Sequence, residues 1–158
     1  MNSDELRALV LGYATAVDTL DGPGFAGLFT EDGELWVPDP TRGPDPVVCR
    51  AGAEALGRIP SGLARYRSTH HVVWSATYDR DDDGGDDGAI GVVSGVAHHL
   101  AATSDGPAGA EGPGTDTVWY IRYEDRYRRT VDGWRIARRA LHLRGLEVRQ
   151  LSHLGPGR

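Results

Sequence analysis

"THHVVWSATYD" (residues 69–79) is a run of β-branched and aromatic residues, and "AIGVVSGVAHHLAA" (89–102) repeats its character beyond the acidic glycine tract "DRDDDGGDDG" (79–88). Two such runs joined by turn chemistry predict an antiparallel hairpin, and a pivot midway through 81–88 sets its register. That register places His70 opposite His99 and His71 opposite His98. Side chains alternate faces along a strand, so His70 and His99 emerge together on one face and His71 and His98 on the other, with opposed Cβ atoms ~4.5–5.5 Å apart. Trp74 then faces Gly95, and Val72, Val93 and Ala97 share the His70/His99 face, where small partners leave space. The other face carries Val73, Ser75, Thr77, Val92, Ser94 and Val96, apolar enough to need a cover, for which a second copy of the chain is the economical candidate.

The pattern continues downstream. "TVWYIRYEDRYRRT" (117–130) and "WRIARRALHLRGLEV" (134–148) are two further strands, separated by "VDG" and preceded by the punctuation "TSDGPAGAEGPGTD" (103–116). Upstream the period changes to that of a helix. Leu6, Leu9, Val10, Tyr13, Val17 and Leu20 recur at helical spacing, with Ser3 as N-cap, Asp4 and Glu5 in the first turn and "DGPG" (21–24) as the stop. A short helix is expected in "GFAGLFTED" (24–32), an edge strand at "GELWVP" (33–38), an irregular stretch at "DPTRGPDP" (39–46) and a third helix within "AGAEALGRI" (51–59). Helices followed by a four-strand meander predict an α+β fold with the helices on one side of an antiparallel sheet. The 158 residues suit one domain spanning 1–158.

Charge and composition narrow the function. All 17 basic residues are arginine, and 23 acidic residues leave a net charge of -6, which disfavours a general nucleic-acid binder. The start "MNSDELRALVLGYATAV" is acidic where a secretory leader is basic, and no stretch approaches the ~20 apolar residues of a membrane span, so a cytoplasmic protein without membrane partner is expected. Cys49 is the single cysteine, which excludes an internal disulfide and a cysteine-cluster metal site. "DRDDDG" (79–84) begins like a calcium loop, but the twelfth position is Ile90 rather than a bidentate glutamate. "GPAGAEGPG" (106–114) lacks the lysine and strand–helix context of a phosphate loop and reads as a flexible connection. Nine arginines between Arg122 and Arg149 interleave with Glu124, Asp125, Asp132 and Glu147, as on a salt-bridged outer sheet surface.

The titratable candidates are His70 and His99, on the face that helices would roof. An imidazole titrates near neutrality and can pass protons both ways. Tyr13 lies on the apolar stripe of the first helix with its hydroxyl available to a pocket, and Asp18 lies at the margin of that stripe. A two-histidine metal site completed by Asp18 or Asp125 is the weaker alternative, because no element carries ligands at metal spacing.

The order of elements, with "YATAVDTLDGPGFAGLFTEDGELWV" (13–37) and "YEDRYRRTVDGWRIARRAL" (123–141), resembles the SnoaL-like branch of the nuclear transport factor 2-like superfamily over nearly the whole chain. The resemblance implies a cone-shaped barrel, a curved antiparallel sheet wrapped around the long N-terminal helix, with a ligand in its open mouth and homodimerisation through the outer sheet face. Within the superfamily, "RSTHHVV" (67–73) and "IGVVSGVAHH" (90–99) resemble the two histidine-bearing strands of scytalone dehydratase. That implies catalytic roles for His70, His99 and Asp18. Val17, Tyr123 and Trp36 or Val37 stand where that family has other polar residues, so the substrate is expected to differ. Tyr13 resembles the oxyanion tyrosine of ketosteroid isomerases, whose catalytic aspartate has no ungapped counterpart here.

Together these readings predict a cofactor-independent and metal-free lyase, isomerase or cyclase acting on a hydrophobic cyclic, polyketide-like molecule of secondary metabolism. His99 is expected as base at carbon and His70, oriented by Asp18, as acid at oxygen, with Tyr13, Trp36, Trp74 and Tyr123 packing the substrate. The alternatives are a non-catalytic ligand-binding or assembly subunit of the same fold, like the small subunits of aromatic-ring dioxygenases, and a ketosteroid isomerase-like enzyme.

Overall fold

A computed structural model describes residues 3–39, 41–83, 85–103 and 112–155. Helix α1 (Ser3–Asp18) is followed by α2 (Gly22–Gly27), strands β1 (Phe29–Pro38) and β2 (Pro46–Ala51), α3 (Gly52–Gly57), a 3₁₀ turn (Pro60–Arg65) and strands β3 (Ser68–Arg80), β4 (Gly88–Ala102), β5 (Gly112–Thr130) and β6 (Gly133–Leu154). The strands form one curved, unclosed sheet in the order β2-β1-β6-β5-β4-β3. Among the described residues no helix is long and apolar enough to cross a membrane. The "GPAGAEGPG" connection lies mostly outside the described residues.

The α+β architecture and the meander β3–β6 are as expected, and three details differ. The sheet is mixed, because β1 runs parallel to β6. β1 is not an edge strand, since β2 pairs antiparallel on its far side through Trp36 opposite Cys49 and Leu35 opposite Arg50. "PVVCRA" escaped a strand reading because prolines crowd its approach, and an outermost strand tolerates a proline at its first position. The third difference is α2, which is shorter than expected and lies further upstream. The Asp21 carboxylate accepts from Gly24 N–H at 2.9 Å with Pro23 in the first turn, so "DGPG" starts α2 rather than stopping α1.

The end of α1 is closed by its own turn. Leu20 adopts φ 59°, Leu20 N–H donates to Val17 O at 3.2 Å and Asp21 N–H to Ala16 O at 2.8 Å, the paired bonds of a Schellman motif with leucine where glycine is usual. This turn fixes Asp18 at the last helical position. The apolar stripe of α1, with Leu6, Val10, Tyr13 and Val17, packs on the concave sheet face against Val93, Ala97, Ile121, Tyr123 and Leu141. Each fully buried aliphatic side chain there contributes about 1.5–3 kcal/mol.

The hairpin β3–β4 corrects the expected register in half its length. From the turn to Ser75 it is as predicted: Arg80 pairs Ala89, Thr77 pairs Val92 and Ser75 pairs Ser94. Trp74 is then an extra residue on β3, and beyond it Val73 pairs Gly95, His71 pairs Ala97, His70 pairs His98 and Thr69 pairs His99. A β-bulge thus shifts the register by one and turns every side chain of residues 68–73 to the opposite face. The bulge needs Gly95, because a Cβ at that position would stand 2.1 Å from the Val72 carbonyl oxygen.

Candidate functional site

Inversion by the bulge brings His71, not His70, into the concave face beside His99. The two imidazole rings lie 6.0 Å apart at 81°. His70 is exposed on the outer face opposite His98, whose Nδ1 lies 2.7 Å from Asp116 Oδ2. The structure therefore corrects the placement of His70 and leaves the expected pairing of a β3 histidine with His99 to its neighbour.

Asp18 holds His71 from behind. One carboxylate oxygen accepts from Thr69 Oγ1 at 2.8 Å and from His71 Nδ1 at 2.7 Å, and the other accepts from the His71 backbone N–H at 2.8 Å. Burial pushes the Asp18 carboxyl up, but the His71 and Thr69 hydrogen bonds outweigh it and hold it below the ordinary carboxylate value. A carboxylate at a helix C-terminus meets the negative end of the helix dipole, so the position is unfavourable for the helix alone and is maintained by the donors of β3. Because Nδ1 of His71 donates to a carboxylate, Nε2 is left as the reactive nitrogen.

His99 is 5% exposed and differs electrostatically. Its Nδ1 faces the Thr117 carbonyl at 3.0 Å. A carbonyl only accepts, so Nδ1 carries the hydrogen and the lone pair sits on Nε2. Burial pulls its pKa down; the Thr117 carbonyl opposes this, while His71 and Arg65 reinforce it. Tyr66 (4.9 Å between ring centroids) and Trp119 (5.5 Å) enclose the ring.

Both histidines line a cavity of about 430 Å³ together with Tyr13, Val37, Trp119 and Tyr123, within the ~300–1,000 Å³ common for small-molecule pockets. α3 and the 3₁₀ turn form its other wall through Ala55, Ile59 and Leu63. Its floor rests on a buried ion pair: Arg139 Nε donates to Asp125 Oδ1 at 2.8 Å and Nη2 to Oδ2 at 2.7 Å, both side chains fully buried. The guanidinium lies 4.2 Å from the Tyr13 ring centroid and 4.4 Å from that of Tyr123, while its Nη1 has no well-formed hydrogen bond. Burial works against the Arg139 charge and the Asp125 carboxylate outweighs it, raising its pKa.

Of the expected packing residues, Tyr13 and Tyr123 are in the cavity wall. Trp74 and Trp36 are not. Trp74, the bulged residue, is 61% exposed on the outer face against the Tyr120 ring. Trp36 points outward between Leu35 and Val37, which do line the cavity; its Nε1 donates to Glu34 Oε2 at 2.8 Å and Arg138 lies over its ring. Asp125, the alternative metal ligand, is committed to Arg139, and among the described residues no group of three or more His, Cys, Asp or Glu side chains is placed to hold a metal ion. Sequence reasoning missed His71, Tyr66, Trp119 and Arg139. Trp119 was legible, since Thr117, Trp119, Ile121 and Tyr123 alternate strictly inward. Arg139 was not, because Ala137 is an extra residue opposite β5 and inverts the faces of β6.

Residues 2–140 match the SnoaL-like domain. The chain belongs to the SnoaL-like domain family. No curated protein matches its sequence significantly. Among solved structures, a protein of unknown function from Mycobacterium tuberculosis is 27% identical, with 88% of this chain and 69% of that one covered and a TM-score of 0.66. A Novosphingobium aromaticivorans protein provisionally assigned as a scytalone dehydratase is 19% identical, covering 98% and 91%, with a TM-score of 0.72. A hexachlorocyclohexane dehydrochlorinase is 12% identical, covering 98% and 93%, with a TM-score of 0.76. At these last two identities the likeness is one of fold, and this SnoaL-like chain shares with them the helix-lined, half-open sheet.

Proposed function

We propose that this SnoaL-like protein is a lyase or isomerase that removes a proton from carbon in a hydrophobic cyclic, polyketide-like molecule, without drawing on a cofactor. The observation that carries the reading is the His71–Asp18 contact at 2.7 Å inside an apolar cavity. A general base must have its conjugate acid stabilised, and Asp18 offers that to His71. Among the described residues His99 has no carboxylate in hydrogen-bond contact, and burial, with His71 and Arg65, outweighs the Thr117 carbonyl and Asp116 and lowers its pKa, which favours the neutral ring. The base role first expected of His99 thereby falls to His71, which stands in the place expected of His70: His71 Nε2 takes the proton, and His99 Nε2 accepts a hydrogen bond from a substrate hydroxyl and orients it. Tyr13 and Tyr123, which line the cavity, support negative charge developing on oxygen, with the Arg139 guanidinium buried behind their rings. In a β-elimination the proton held by His71 would then pass to the departing oxygen; in an isomerisation it would return to another carbon.

The test is hydrogen–deuterium exchange at the α-carbon of a cyclic ketone such as 1-tetralone, followed by proton NMR in D₂O. Acceleration by the parent protein, reduced ~10²–10⁴-fold in His71→Ala, is expected. Exchange by His71→Ala at the parental rate would show that His71 is not the base, and no acceleration by the parent across a set of cyclic ketones would favour a non-catalytic ligand-binding protein.

A further inference from the structure

The cavity has a charged rim that the acid–base reading does not use. Although acidic residues outnumber basic ones 23 to 17 in the chain, no aspartate or glutamate is among the described residues that line it, whereas Arg50, Arg58 and Arg65 are. These three come from separate elements: the end of β2, the residue after α3 and the end of the 3₁₀ turn. Arg58 is paired with Glu54 one turn back. The other two have no carboxylate partner among the described residues. Arg50 Nη1 donates only to the Cys49 carbonyl at 3.1 Å, and Arg65 Nη2 donates to the Tyr66 hydroxyl at 3.2 Å while its guanidinium lies 4.8 Å over the Tyr66 ring. The Tyr66 ring in turn lies 4.9 Å from that of His99. Inside the rim the wall is largely apolar, with Val17, Leu35, Ile59, Leu63 and Leu141, and carries no cationic side chain apart from the titratable His71 and His99 at its inner end.

We infer that the substrate is an anion: an apolar ring system that fills the cavity as far as His71 and His99, bearing a carboxylate or phosphate that Arg65 and Arg50 hold at the mouth. This deepens the proposed acid–base function and rests on it for the orientation of the ring. A guanidinium presents paired N–H donors that match a planar oxyanion, and a residue stacked on an aromatic ring is already part-ordered for the contact. Placing the charge at the mouth also keeps it away from the carbon to be deprotonated, where an adjacent carboxylate would oppose carbanion formation. Binding energy gained remotely then orients the reacting carbon.

The test compares 2-naphthoate, 2-naphthyl phosphate and the neutral methyl 2-naphthoate by isothermal titration calorimetry, with quenching of tryptophan fluorescence as a second measure. At least one anion should bind about tenfold more tightly than the ester, and which anion leads identifies the oxyanion. The preference should shrink in Arg65→Gln and in Arg50→Gln, persist in part in Arg65→Lys, and weaken with added salt. Equal affinities, or a preference for the ester, in the parent overturn the anionic class and leave the proton-transfer reading untouched. A preference unchanged in both glutamine variants overturns the assignment to these arginines. Failure of all three probes to bind saturably overturns the inference, while loss of ketone exchange with the anion preference intact counts against the chemistry alone.

Discussion

Gly95→Ala is the substitution that most directly tests how this sheet places its histidines. An alanine Cβ at 95 would stand 2.1 Å from the Val72 carbonyl oxygen and 3.2 Å from its carbon. The first distance is roughly 1 Å too short for any relaxed contact, and the offending atom is backbone, so no side-chain rotation can relieve it. Either β3 and β4 separate at Val72–Val73, or the bulge at Trp74 is lost and the turn-proximal register extends along the whole hairpin. Overpacking of this kind costs about 1–3 kcal/mol, occasionally more, which for a chain of this size lowers Tm by roughly 2–12 °C. Loss of the bulge would also exchange the faces of His70 and His71 and so break the 2.7 Å contact to Asp18. The assay is thermal unfolding by circular dichroism together with ¹⁵N-edited NMR of the histidine rings: the parent should show one imidazole hydrogen-bonded to a carboxylate through Nδ1 in β3, and Gly95→Ala should lose or redistribute that signal. Deleting Trp74 is the complementary change, since a ladder without the extra residue keeps His71 facing inward; its histidine spectrum should resemble the parent's. A Gly95→Ala protein with parental Tm and an unchanged His71 signal would refute the claim that glycine at this position permits the bulge.

Four further outcomes follow from the site. His99 should titrate with a midpoint below the ordinary 6.5 by NMR, and Arg65→Gln should move that midpoint upward, because a positive neighbour has been removed. Since folded His99 binds its proton less readily than the unfolded chain does, its contribution to stability is full above about 6.5 and is lost as pH falls through the folded value; His99→Gln should flatten that part of the stability curve. Asp18→Asn should slow ketone exchange by at least ~10²-fold while costing under about 1 kcal/mol of stability, because removing the charge also relieves the helix C-terminus; a loss of Tm in proportion to activity would contradict a positioning role. Asp125→Ala, which leaves Arg139 charged and buried, should cost about 3–5 kcal/mol, and Asp125→Leu combined with Arg139→Met should cost less than Asp125→Ala alone; urea unfolding at neutral pH measures both.

The fold was legible in the sequence wherever a single period ran unbroken. α1 was read from six apolar residues at helical spacing, and β5 from strict alternation between Thr117 and Tyr127. The parts that were not legible are those where a local irregularity breaks the period without a compositional mark. The prolines before β2 hid an edge strand, and its pairing with β1 moved that strand into the sheet interior. Parallel pairing of β1 with β6 depends on contacts between distant segments that no local pattern encodes. Ala137 inverts the faces of β6, so an arginine that seemed to belong to the solvated surface is the most deeply buried charge among the described residues.

The histidine pairs show why the site was legible in kind but not in identity. In a strand, two adjacent residues always face opposite ways, so "HH" presents one imidazole inward in either register. The doubled tracts at 70–71 and 98–99 therefore guarantee an inward histidine on each strand, and the inference that two of them meet survives a one-residue slip. Which of each pair turns inward depends on parity, and parity on β3 is decided by whether Trp74 is paired or bulged. The turn fixes the register as far as Ser75, and the approach of Val72 O to Gly95 fixes it beyond. The sequence carried a hint of this in Gly95 itself: a glycine within a strand otherwise built of valines costs β stability unless a neighbouring backbone must come close. Asp18 then selects the outcome, because its carboxylate bonds both the backbone N–H and the ring of His71. A regular ladder would present His70 to the helix end in place of both. The bulge, the glycine and the aspartate thus agree on one geometry, and each can be removed separately to see whether the other two still hold it.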